Sequence, residues 1–150
     1  MTPTMQRPLS PKFLFVVRCA VASLWLYEGL WMKILVRDAH QLAIVQSFAL
    51  TPPLGLPPFS PQAFMSLIGS GETLLALGFF SGWWPRFVAG VAGALLLVMN
   101  VCGIVFGGGN IAQPFDLLIH NIPFLLCIAL VGTYGAGAWA LPFPRRKIRL

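Results

Sequence analysis

Residues 12–35 read KFLFVVRCAVASLWLYEGLWMKIL. An α-helix rises about 1.5 Å per residue, so this run is long enough to cross the roughly 30 Å of hydrocarbon in a bilayer. A cleaved signal peptide has a shorter apolar core and a small-x-small cleavage site. The segment ASLWLYEG lacks such a site, so the run reads as a retained spanning helix. Arg18, Glu28 and Lys33 interrupt it. A charge at the centre of a spanning helix costs about 2.5–3.5 kcal/mol on insertion scales, so Glu28 in particular needs a partner or a purpose.

Three further apolar runs follow, at 61–83, 86–107 and 114–141. Backbone groups in lipid must be satisfied within the segment, which makes all four runs helices. The chain is 57% hydrophobic and 9% charged, with a mean hydropathy of +0.81. A soluble domain carries about 25% charged residues, so the lipid bilayer is the expected surrounding of this one. The expected fold is all-α: one membrane domain over 1–150, an integral membrane four-helix bundle.

The net charge of +6 does not point to nucleic acid, because no aromatic-and-basic groove motif accompanies it. With both termini cytoplasmic, Arg7, Lys12, Arg86, Arg145, Arg146, Lys147 and Arg149 lie inside, and only Lys33 and Arg37 lie outside. The positive-inside rule therefore favours N-in, C-in, which suits a multi-pass protein of a bacterial inner membrane. Trp83 and Trp84 then mark the inner interface, and SGWWPR forms a tight hairpin.

The long outer loop between helices 1 and 2 has two halves. In RDAHQLAIVQSFAL, Leu42, Val45 and Ala49 fall on one side at helical spacing, as in an interfacial helix. Prolines 52, 53, 57 and 58 exclude a regular helix from TPPLGLPPFSP, which suits a lid or a partner surface. The pairs Gly78/Gly82 and Gly103/Gly107, with Gly90 four before Ala94, allow close helix packing within the bundle or against a homo-oligomer. Cys19, Cys102 and Cys127 stand apart with no CxxC, so they read as small apolar fillers.

The polar residues inside the runs are few. By helical rise, Glu28 lies roughly 24 Å and Asn100 roughly 21 Å from the cytoplasmic end. His120 lies about 9 Å below the outer face, and Glu72 about 7 Å deeper than that level. All four helices thus deliver a polar group to the outer half or its floor. Asp116, His120, Cys127 and Tyr134 fall on one stripe of the last helix, and Pro123 frees the carbonyl of Ile119 beside His120. Gly69, one turn from Glu72, is expected to leave open space above the carboxylate. The expected site is a cavity in the outer half built on Glu28, Glu72, Asn100 and His120. Trp25, Tyr27, Trp31 and Phe124 supply aromatic walls.

Structural readings stand beside this one. Glu28 can bridge to Lys33 or His120, and Asn100 can join two helices. A protonated Glu72 can fix helix register, Lys33 and Arg18 can snorkel, and Asp116 and Asn121 can be structural polar groups. Metal binding is not expected, since no ExxH or HxxxH pair occurs, and a bis-histidine haem would need His40 in the outer loop.

WLYEGLWMKIL resembles the EGxxxK signature of DoxX-like membrane proteins, and IGSGETLLALGFF resembles their GxxExxxGxxL element. PFDLLIHN and the glycine-rich close of the last run are also similar, and the order matches from Arg18 to Ala138. The resemblance implies a four-helix bacterial membrane protein, with Glu28, Gly29, Lys33, Gly69 and Glu72 at the matching positions. Ala76 stands where the second glycine of that element falls and Phe79 where its leucine falls, so Gly78 is expected to supply the close contact. Members are linked to quinone-coupled sulfur oxidation and redox-stress complexes, and animal relatives assist membrane-protein assembly. The expected ligand is therefore a lipid-soluble molecule, a quinone first, in a redox-linked role, with no covalently bound cofactor. As an enzyme the chain would be a quinone-linked oxidoreductase component. The alternative is a non-enzymatic accessory or assembly subunit packed against a membrane-protein partner. A solute or ion pathway is disfavoured, because Arg18 is the one charge in the inner half.

Overall fold

The computed structural model describes residues 9–49, 60–111 and 113–140. The basic tail at 145–149, Arg7 and the proline-rich segment 51–59 lie outside the described residues, and so do the orientation and lid readings that rest on them. Helix α1, Pro11–Leu26, continues as a π-helical segment, Tyr27–Val36. There follow α2 at Ala39–Ala49, α3 at Pro61–Ser81, α4 at Pro85–Phe106 and α5 at Pro114–Tyr134. A short 3-10 turn, Gly108–Asn110, precedes α5, and no strand occurs among the described residues.

Four of these helices are long and apolar enough to cross a membrane, the first as the continuous span Pro11–Val36. Their starts follow from proline, which stands in the first turn of α1, α3, α4 and α5, where its missing N–H is not required. Ser60 caps α3 by accepting from Ala63 N at 3.2 Å. Gly82, at φ 66, ends it in the left-handed region. Helix α5 stops at Tyr134, short of the expected 141. Gly135 and Gly137 take φ 90 and 73, and Ala138 N then donates to Pro11 O at 2.9 Å, folding the chain back on α1.

The core joins α1, α3, α4 and α5 through Val21, Ala22, Trp25, Ala76, Phe79, Ala92 and Val131. The outer surface is apolar as well: Leu74 is 68% and Phe115 72% exposed, the inverse of a soluble protein and the surface a bilayer covers. Trp83 and Trp84 are exposed and stacked, with ring centroids 5.2 Å apart.

The π-helical segment accounts for the five-residue separation of Glu28 and Lys33. On an α-helix, residues five apart point about 140° away from each other. A π-helix bonds i to i+5, so such residues stack. Lys33 Nζ accordingly reaches the carbonyl of Glu28 at 3.5 Å and its carboxylate at 3.7 Å. The segment ends at Arg37, whose φ of 54 is left-handed, where Asp38 N donates to Met32 O.

Candidate functional site

Glu28, Lys33 and Glu72 come together because two glycines meet. A Cβ added to Gly29 would lie 2.6 Å from Gly69 O and 2.7 Å from Glu72 Cβ, and one on Gly69 would lie 2.7 Å from Gly29 O. Helix 1 and α3 therefore touch backbone to backbone at this level. The expectation of open space over Glu72 is corrected: Gly29 and the Lys33 stem occupy it. Gly78 does not supply this contact, since it faces Val88 on α4. Ala76, fully buried, packs in the core instead.

One turn beyond Gly29, Lys33 Nζ lies 2.8 Å from Glu72 Oε2. Both side chains are buried, while that of Glu28 is 45% exposed. Lys33 thus joins a buried carboxylate to one at the surface, and does not snorkel. Gln41 of α2 donates through Nε2 to Glu28 Oε2 at 2.9 Å, and its backbone N donates to Asp38 Oδ1 at 2.9 Å. Helix α2 therefore closes the cluster from one side. Glu72 Oε1 is buried and has no hydrogen-bond partner.

The remaining candidate residues separate from this cluster. Asn121 donates through Nδ2 to Asn100 Oδ1 at 2.7 Å, joining α5 to α4. Replacing Asn121 with alanine is expected to cost about 1 kcal/mol in denaturant unfolding of the purified protein, because it strands the buried Asn100 side-chain oxygen. His120 is exposed, and its Nδ1 lies 2.7 Å from the carbonyl of Asp116. A carbonyl only accepts, so Nδ1 carries the hydrogen. Asp116, His120 and Tyr134 are all exposed, whereas α5 buries Ile128 and Val131 toward the core. Pro123 also points outward. The single chamber built on Glu28, Glu72, Asn100 and His120 is therefore replaced by separate sites.

His120 lines its own cavity of about 230 Å³ between α1 and α5, with Ala20, Leu24, Phe124 and Cys127. Trp25 stands behind it, buried, with its ring 5.5 Å from that of Phe124. Trp31 and Tyr27 are more than half exposed and do not line this cavity. At the other end of helix 1, Arg18 is fully buried, donating through Nη2 to Trp139 O at 3.2 Å, with Phe15 5.2 Å from the guanidinium. It pins the C-terminal turn to α1 and does not snorkel. The three cysteines are free and partly buried, and no group of three His, Cys, Asp or Glu able to hold a metal occurs among the described residues.

A family model described as DoxX-like matches residues 22–129, a range that holds the Glu28–Lys33–Glu72 cluster, both close glycines and His120. The chain belongs to the DoxX-like family. With its four apolar helices, this DoxX-like chain is a multi-pass membrane protein. No curated protein and no solved structure matches it.

Gln41 and the Gly29–Gly69 contact are the parts of the DoxX-like site that residue patterns alone did not single out. The contact had a signal: both glycines stand one turn from a charged residue that needs a partner.

Proposed function

We propose that this DoxX-like protein binds the polar head of a lipid-soluble molecule of quinone type in the membrane-facing cavity at His120, in a redox-linked role. The observation that carries the reading is the His120 ring itself, held at Nδ1 by the Asp116 carbonyl beside a cavity walled by Leu24 and Phe124. Nε2 of the neutral ring is then an acceptor for a hydroquinone hydroxyl, and the protonated ring donates to a quinone carbonyl. The apolar walls accept the ring and the start of the tail. We place the protein in a bacterial inner membrane with both termini cytoplasmic, on the distribution of lysine and arginine.

The test is titration of a short-chain quinone into protein held in lipid nanodiscs, read by quenching of tryptophan fluorescence. Saturable quenching is expected in the native protein, weakened about tenfold in His120→Ala. Quenching that never saturates, or is identical in the two proteins, overturns the reading.

A second reading, an accessory subunit, has its own support. A groove of about 590 Å³ between α4 and α5 is lined by Gly90, Gly93, Ala129 and Gly132, the kind of small-residue face that receives another helix. Of the glycines expected to serve such packing, Gly78 and Gly103 are already used inside the bundle, against Val88 and Leu117.

A further inference from the structure

The cluster on helix 1 and α3 is one charge short of neutral. Glu28 and Glu72 are carboxylates, and among the described residues Lys33 is the one cation within salt-bridge reach of either. Gln41, which α2 brings to it, is an uncharged amide, and Arg37, the cation that ends the segment, is exposed and forms no ion pair with either carboxylate. Asp38, at the start of α2, binds the Gln41 amide N–H, and His40 is exposed. An uncompensated charge at this depth calls for one more cation. Glu72 Oε1, fully buried and without a partner, is the vacant acceptor. Space decides which cation. Glu72 Oε1 is itself sealed from solvent within a fully buried side chain, so a hydrated ion has no room beside it. A proton needs none.

We propose that the Glu28–Lys33–Glu72 cluster is a proton-binding site, loaded through Glu28 from the α2 side and holding one exchangeable proton on Glu72. The transfer balances at each group. Glu28, 45% exposed, takes a proton from water at the α2 interface. The Lys33 ammonium passes one hydrogen to Glu72, 2.8 Å away, and regains one from Glu28, 3.7 Å away. Lys33 ends as it began, Glu72 is neutral, and Glu28 is again a carboxylate facing the ammonium. The buried oxygen that lacked a partner carries, or lies beside, the new O–H. This site is independent of the His120 cavity and stands whether or not a quinone binds there.

Infrared difference spectroscopy on protein in lipid bilayers, titrated in pH, tests it. Glu28 and Glu72 are the only glutamates in the chain, so 13C-glutamate labelling confines any label-sensitive band to this cluster. The expected result is a protonated-carboxyl band that shifts with the label and disappears in Glu72→Gln. Its exchange in heavy water should slow about tenfold in Glu28→Gln. The labelled native protein is decisive even where Glu72→Gln does not fold: a label-insensitive band, or none over the pH range of the folded protein, overturns the site. A band that survives Glu72→Gln also overturns it, and unaltered exchange in Glu28→Gln overturns the route through Glu28.

Discussion

Replacing Lys33 with methionine should lower the stability of the folded protein by about 3–5 kcal/mol, measured by denaturant unfolding in mixed micelles. The cost comes from Glu72, whose buried carboxylate loses its partner at 2.8 Å. Methionine keeps much of the lysine stem, so the packing against Gly69 is largely retained. Replacing both residues, Lys33→Met with Glu72→Leu, should recover most of that loss. A buried pair removed together leaves no stranded charge, and apolar replacements are often neutral. A double variant as unstable as Lys33→Met alone would show that the pair does not account for the loss.

Gly29→Val should be at least as damaging. Overpacking a core typically costs about 1–3 kcal/mol and occasionally more. Here the clashing atoms are the carbonyl of Gly69 and the backbone N of Thr73, which cannot swing aside as a side-chain tip can. About 3 kcal/mol or more is expected by the same unfolding measurement. The same shift moves Lys33 away from Glu72, so Gly29→Val and Lys33→Met should be clearly less than additive. Additive losses would mean that the glycine contact and the ion pair are unrelated.

The four apolar runs were legible from length and hydropathy, because a helix that crosses lipid must be long, apolar and internally bonded. Helix α2 was legible from the spacing of Leu42 and Val45, the latter buried. The end of α5 was not, because the glycines at 135 and 137 read equally well as helix packing residues until their positive φ values are known. The polar level was legible only in part. Rise per residue places Glu28, Glu72, Asn100 and His120 at similar depths, but depth does not set azimuth. Azimuth puts His120 on the outer surface, and it bonds Asn100 to Asn121. The bridge from Glu28 to Lys33 was legible as one of two possible pairings, but the reach of Lys33 on to Glu72 was hidden for a different reason. Residue spacing is ordinarily read at 3.6 per turn, and the segment that carries Glu28 and Lys33 is wound to bond i to i+5. Ordinary snorkelling logic likewise failed for Arg18, which finds backbone carbonyls in a turn far along the chain.

Everything proposed for the cluster depends on Lys33 facing into the bundle, and a distance can be measured there directly. Solid-state NMR dipolar recoupling between 15Nζ-labelled lysine and 13Cδ-labelled glutamate, on protein in lipid bilayers, reads that contact without any substitution. Strong dephasing at a glutamate carboxyl is expected, from the Lys33 Nζ–Glu72 Oε2 contact of 2.8 Å, and it should be lost in Lys33→Met. A lysine amine with no carboxyl coupling would put Lys33 at the headgroups and contradict the account.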